Sequence, residues 1–166
     1  MCEAKKVNAV SIISCGNTYS ESIKKLLVHK DDVSLGLHAT WVGEKSILSP
    51  QEISSIITKN KYFNHDFKAF YLKWLLGNIK IEDIKLELEE QILKLLNVVG
   101  KIDHIDSHQH IHMIPQIFKV CIELAKKYKI PRIRTVNEDI SHKLPNALNP
   151  TKYIGERLLK KWVKKN

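Results

Sequence analysis

Apolar residues recur along this chain with two periods, one typical of strands and the other of helices. Compact β-branched and aliphatic stretches over residues 7–14 and 33–40 predict two strands. The second stretch alternates, and its side chains should divide between two faces: Val33, Leu35 and Leu37 on one, Ser34, Gly36 and His38 on the other.

A helical period is present in four segments: 17–29, 52–74, 81–99 and the segment that Pro115 opens. Ser49, Pro50 and Glu52 have the residue types of an N-cap, N1 and N3, which predicts that the second helix begins there. The third segment has the clearest apolar stripe, and Gly100 follows it as a typical C′ residue.

Two further strands are expected, over 101–105 and 130–136, so that strands alternate with helices. This alternation predicts an α/β fold with parallel strands, either an open sheet or a (β/α) barrel. Because parallel strands end at the same edge, His38 and His108 should lie together at that edge.

The length of 166 residues fits a single domain over 1–166. No apolar stretch reaches the roughly 20 residues that cross a bilayer, and the N-terminus does not resemble a signal peptide. Cys2, Cys15 and Cys121 are widely spaced, which is typical of reduced thiols in a cytoplasmic protein. We therefore expect a cytoplasmic location and no membrane partner.

The net charge of +9 is unevenly distributed, since the last sixteen residues carry six basic side chains and one acidic one. Leu158, Leu159, Trp162 and Val163 give that stretch an amphipathic helical pattern. A solvated helix explains it, and nucleic acid is not the expected partner; a polyanion-binding patch is the alternative.

The segment from Asp106 to His112 contains three alternating histidines, at positions 108, 110 and 112. Imidazole is the commonest side-chain ligand of metals, and alternation in an extended backbone would place the three rings on one side. Three imidazoles at a strand end favour a metal site. A hydrogen-bonded cluster or solvent-facing histidines are the alternatives.

The run His104–Ile117, which contains Asp-Ser-His-Gln-His-Ile-His-Met-Ile-Pro, resembles the signature of the YdjC/ChbG-type carbohydrate deacetylases, related to the HpnK proteins. Other parts match in the same order: the strand and loop over 7–16, Gly36-Leu37-His38, Glu87-Leu88-x-x-Gln91, and Ile130-Pro131-Arg132-Ile133-Arg134. The resemblance covers most of residues 5–136.

The resemblance implies a (β/α)-barrel-like fold, here an incomplete barrel, and a hydrolase that removes acetyl groups from N-acetylated sugars. It also implies a divalent metal, magnesium first, with zinc or another transition metal as alternatives. In the family an aspartate and two histidines hold the metal, and the histidines correspond to His38 and His108. The metal polarises the acetamide carbonyl and activates water, with a carboxylate as general base.

Further roles are expected for residues in the same motif and its neighbourhood. Asp106 is expected to orient a ligand histidine. His110 and His112 are expected near the substrate or behind the ligands, and His104 in the core. Trp41 could stack on a sugar ring or simply pack, and Arg134 could face the pocket or form a surface ion pair.

Two features of the family pattern have no counterpart in this sequence. The Asp-Asp-Phe-Gly strand, which supplies a ligand and the base, is absent, and Asp31-Asp32 falls in a turn before the Gly-Leu-His strand. The late histidine motif is also absent, and His142 does not match it. This leaves the catalytic residues unknown and leaves open an inactive fragment, or a metal- or sugar-binding remnant. The exposed edges of a partial barrel also favour self-association.

Overall fold

The computed structural model describes residues 7–63 and 66–135. In chain order the elements are β1 Ala9–Ile12, α1 Tyr19–Leu27, β2 Ser34–Ala39, α2 Phe67–Leu75, α3 Ile81–Val99, β3 His104–Ser107, a kinked 3₁₀ segment His108–Met113, and α4 Pro115–Lys127. The predicted alternation of strands and helices is confirmed.

The three strands form one parallel sheet in the order β1-β2-β3. Ser11 pairs with Gly36, and His38 pairs with Asp106. Beyond β3, Ile133 makes a parallel bridge to Ile105. Successive strands are therefore neighbours in space, and the prediction of an α/β fold with parallel strands is confirmed.

The two faces of this sheet differ in chemistry, as the alternation in β2 predicts. Leu37 and Ile105 have no exposed surface and belong to the apolar core, with α3 against β2 and α4 against α3. The opposite side, which we call the polar face, carries the other set of strand residues: Ser11, Ser34, Gly36, His38, His104 and Asp106.

Helix α3 matches its predicted bounds, 81–99. Its buried stripe contains Ile84, Leu88, Ile92 and Leu95, none of which has exposed surface. Gly100 ends the helix in the left-handed conformation, with φ of 76°, and its N–H donates to the carbonyl of Leu96. A residue without Cβ adopts this backbone geometry at little cost.

The helix predicted over 52–74 is wrong for most of its length. The N–H and the hydroxyl of Ser49 do donate hydrogen bonds to the Glu52 carboxylate. However, only turns follow Ser49, and the helix is confined to α2. The chain is tied instead to α3 on both sides of Ser49: Glu87 accepts from the backbone N–H groups of Ile47 and Leu48, and Asp83 from that of Ser55.

Three smaller expectations also need correction. Strand β3 begins at His104 rather than at residue 101 and continues to Ser107. The strand predicted over 130–136 is reduced to the bridge at Ile133, and Val136 lies outside the described residues. The histidine segment is not extended, because Gln109 and His110 have φ of 51° and 57°.

Two features of the sequence discussed above, His142 and the basic C-terminal stretch, lie outside the described ranges. Among the residues that the structure does describe, no helix combines the length and apolar character that a membrane crossing requires.

Candidate functional site

His38 and His108 come together at the edge of the sheet where the parallel strands end. His38 lies near the end of β2, and His108 is the first residue after β3. The centroids of their rings are 5.8 Å apart, and the ring planes meet at 73°. The expectation that adjacent parallel strands bring these two imidazoles to one rim is confirmed.

Asp106 orients the first of these histidines. His38 Nδ1 lies 2.8 Å from Asp106 Oδ1, which is the next strand's residue in register with it. Since an ionised carboxylate only accepts hydrogen bonds, Nδ1 carries the proton and Nε2 has the lone pair. This arrangement, a histidine with a carboxylate behind it, recurs in metal sites.

The second oxygen of Asp106 is also engaged. Ser11 Oγ donates to Oδ2 at 3.1 Å, and Arg134 Nη1 lies 3.8 Å away. Burial acts to raise the pKa of this carboxyl, but the hydrogen bonds from His38 and Ser11 act in the opposite direction and leave the pKa below its usual value. Asp106 is therefore an anion at neutral pH, with both oxygens occupied.

His108 is held in its neutral form. Burial lowers the pKa of this imidazole, and neighbouring His38 lowers it further, while the charge of Glu44 acts in the opposite direction. Neutral imidazole is the form that binds metals. Glu44 thus lies near this rim, on the loop after β2, although no sequence motif had singled it out.

The backbone turns sharply immediately after His108. Gln109 and His110 both adopt the left-handed conformation, which is uncommon for residues with a Cβ and tends to occur at functional sites. As a result, the segment is not extended, and the alternation of the three histidines does not determine the directions of their rings. The rings of His110 and His112 lie 6.4 Å apart, and the site pair is His108 with His38.

His112 has a structural position, with no exposed surface. Its Nε2 donates to the carbonyl of Arg134 at 2.8 Å, so Nδ1 accepts from the hydroxyl of Ser107. The backbone N–H of His112 also donates to that hydroxyl at 3.1 Å. This ring ties the turn to the segment after α4 and has no nitrogen directed to a metal or a substrate.

Trp41 follows the packing alternative rather than the sugar-stacking one. Its ring has no exposed surface, and Nε1 donates to the carbonyl of Ile84 at 3.3 Å. A sugar would have to displace α3 to reach this indole. Arg134, in contrast, has a largely exposed side chain close to Asp106.

The Glu-x-x-x-Gln pair of α3 holds the loop that follows β2. Gln91 accepts from the N–H of Thr40 and donates to its carbonyl, at 3.1 and 2.8 Å. Glu87, which is fully buried, accepts from Ile47, Leu48 and Gln91. Burial raises the pKa of Glu87, although those hydrogen bonds act in the opposite direction. The pair fixes the start and end of the loop that carries Glu44.

The imidazole nitrogens at this rim could supply two of the ligands of a metal ion. His38 presents Nε2, and within the described part of the chain neither ring nitrogen of His108 makes a hydrogen bond. Two imidazoles leave coordination positions for other ligands. Residues 7–63 and 66–135 contain no group of three His, Cys, Asp or Glu side chains arranged to hold an ion.

The chain is similar to deacetylases from several organisms. A carbohydrate deacetylase of Thermoanaerobacter pseudethanolicus is 28% identical over 119 residues, 72% of this chain and 46% of that protein. One from Clostridium beijerinckii is 27% identical over 144 residues, 86% of this chain and 54% of that protein. The chain therefore spans about half the length of these relatives. A chitooligosaccharide deacetylase of Escherichia fergusonii is 42% identical over 55 residues, 32% of this chain and 22% of that protein.

The fold also matches a crystal structure from Enterococcus faecalis, named as a cellobiose-phosphate cleavage protein. The TM-score is 0.70 at 22% identity, with 95% of this chain and 57% of the other covered. The model of one family, YdjC-like protein, matches residues 1–165, which is nearly the entire sequence. This chain belongs to the YdjC-like protein family.

Proposed function

We propose that this protein acts on N-acetylated sugars or oligosaccharides and hydrolyses their acetyl groups with the help of a divalent metal held by His38 and His108. The observation that carries the proposal is the convergence of these two imidazoles at the strand ends, with Asp106 behind one of them. The carbohydrate deacetylases among the relatives supply the reaction and substrate class.

The chain's own groups have distinct tasks in this proposal. His38 and His108 hold the cation, and Asp106 sets the tautomer and orientation of His38. A bound cation supplies Lewis acidity toward an acyl oxygen and lowers the pKa of water. The resemblance implies magnesium, but magnesium prefers oxygen ligands, whereas imidazole suits zinc and other transition metals. The binding of both magnesium and zinc should therefore be measured.

Deacetylation also requires a base, and Glu44 is the carboxylate that we propose for it. Its charge acts on His108, and the clamp formed by Glu87 and Gln91 fixes the loop on which it lies. Glu44→Gln should reduce acetate release at least tenfold while leaving metal affinity within about twofold. Glu52→Gln, on the same long connection but exposed, is the control.

A second candidate is a protein that binds metal and sugar without turnover. It is favoured by the state of Asp106, whose two oxygens are occupied by His38 and Ser11 and are not free to take a proton from water. Acetate release from chitooligosaccharides by the full chain, with magnesium or zinc, separates the two candidates. Binding without acetate release would support the second.

The metal assignment is tested by calorimetric titration of single variants. His108→Ala should abolish binding of zinc or magnesium by the full chain, because it removes one of two imidazole ligands. His142→Ala, which changes a histidine outside the motif, should retain the parent affinity. Equal losses in both variants, or no loss in either, would contradict the assignment.

The wider setting of this function also belongs to the proposal. We propose that the parallel sheet is one side of a barrel, that the protein is cytoplasmic, and that copies of the chain associate through sheet edges. Sedimentation at several concentrations tests the last point, since a purely monomeric protein would contradict it.

A further inference from the structure

A line of polar side chains crosses the polar face and ends at His38. Arg132 Nη2 donates to Ser34 Oγ at 3.1 Å, and Ser34 Oγ lies 3.4 Å from Nδ1 of His104. His104 Nε2 lies 3.0 Å from Ser11 Oγ, which donates to Asp106. The line thus joins all three strands and reaches the carboxylate that orients His38.

The Asp106 end of this line determines the protons of Ser11 and His104. Arginine only donates, and ionised Asp106 only accepts. The single proton of Ser11 is used on Asp106, so Ser11 can only accept from His104. Nε2 of His104 therefore carries the proton, and Nδ1 of the neutral ring has its lone pair on the side of Ser34. The Ser34 hydroxyl also has a hydrogen bond with the Asp103 carboxylate. From His104 to Asp106 the hydrogen bonds run in one direction.

The backbone of β2 makes room for the His104 ring. A Cβ built on Gly36 would overlap the imidazole of His104. The ring lies across the backbone at the one position of β2 that has no side chain, between Ser34 and His38 on the same face. The glycine of the Gly-Leu-His motif is therefore explained by the histidine of the neighbouring strand.

We propose that His104 is a positioning residue of the His38 site: through Ser11 it holds Asp106, and Asp106 fixes the tautomer and direction of His38. The residue does not touch a metal or substrate. The effect of His104 on metal affinity rests on the proposed function. The tautomer of His104 and the effect of His104 on His38 do not. The two claims are therefore tested by different measurements.

The first measurement is nitrogen-15 NMR of the histidine rings in the full chain at about pH 8, without metal. We expect the proton of His104 on Nε2 and that of His38 on Nδ1. In Ser11→Ala, His38 should lose its single tautomer and show a mixture. Ser14→Ala is the matched control, because Ser14 faces α3 and donates to the carbonyl of Gln91. A His104 proton on Nδ1, or an unchanged His38 in Ser11→Ala, would overturn the proposal.

The second measurement separates hydrogen bonding from packing at position 104. His104→Gln retains an amide donor for Ser11, and His104→Leu fills the space without one. We expect the Gln variant to keep the parent His38 spectrum and the Leu variant to resemble Ser11→Ala. Equal spectra for Gln and Leu variants that remain folded by circular dichroism would overturn the positioning role.

Zinc titration then connects the two proposals. Partners behind a ligand change metal affinity by roughly 10–100-fold, and for the more distant Ser11 we expect a loss of about threefold to tenfold. If no variant or parent binds zinc while the NMR pattern holds, the metal proposal fails and the positioning of His38 stands. Full zinc affinity in Ser11→Ala, with the parent binding, would contradict the positioning role.

Discussion

Individual histidines of the same motif have different chemistry because their neighbours differ. His108 shares the rim with His38, whereas His112, four residues later, is completely buried and spends both ring nitrogens on Ser107 and Arg134. The motif alone does not distinguish them, since the turn at Gln109 and His110 decides which ring faces which way. The sequence predicted that His108 lies at the rim, but only the structure shows that His112 is buried.

The buried position of His112 should make stability depend on pH. Burial lowers the pKa of this imidazole below its ordinary value of 6.5, although the Arg134 carbonyl acts in the opposite direction. Below pH 6.5 the unfolded chain binds a proton at this imidazole that the folded chain does not bind. The contribution of His112 to the free energy of unfolding is therefore complete above pH 6.5 and is lost as the pH falls. We expect a lower free energy of urea unfolding at pH 5.5 than at pH 7.5.

The contribution of His112 is isolated by His112→Gln, which should reduce the difference between the two pH values. A difference of one bound proton between the unfolded and folded states changes the free energy of unfolding by at most about 1.4 kcal/mol per pH unit. Ser107→Ala is the control: it removes a partner but keeps the buried imidazole, so the pH dependence should persist. An unchanged dependence in the Gln variant would assign it to other groups, such as His104 and His108.

At the scale of elements, α3 determines the shape of the long connection between β2 and α2. Its buried Glu87 accepts two backbone N–H groups of that connection, from Ile47 and Leu48. Glu87→Ala should destabilise the protein by about 2–4 kcal/mol in urea unfolding, because two amide donors lose their acceptors. Glu82→Ala, exposed on the same helix, should change stability by less than about 1 kcal/mol. Similar losses in both variants would contradict this role of Glu87.

The contact between β2 and β3 at Gly36 gives a second element-scale prediction. Gly36→Ala should displace the His104 ring and lower stability by about 1–3 kcal/mol, since the new methyl group overlaps the imidazole. Gly16→Ala is the matched control: its added Cβ would meet Ile13 at an ordinary 3.5 Å. A melting temperature for Gly36→Ala equal to that of the control would show that the ring moves aside freely.

Elements defined by local periodicity could be predicted, and those defined by distant partners could not. The stripe of α3 and the alternation of β2 lie within single segments and gave correct bounds to within one or two residues. The connection around Ser49 depends on Asp83 and Glu87, which lie 28 and 40 residues along the chain from Ser55 and Ile47, whose backbone N–H groups they accept. The line through Ser11 and His104 likewise joins residues 93 positions apart.

For the whole molecule, the parallel order of the strands has a kinetic consequence. The pairs His38–Asp106 and Ser11–Asp106 join positions 68 and 95 apart, so the rim exists only after long stretches of chain have been closed into loops. Helices α3 and α4, built from local contacts, can form within microseconds. We therefore expect the helical signal to precede the protected His38 ring during refolding, so that a newly made chain passes through a period in which it is helical but has no site.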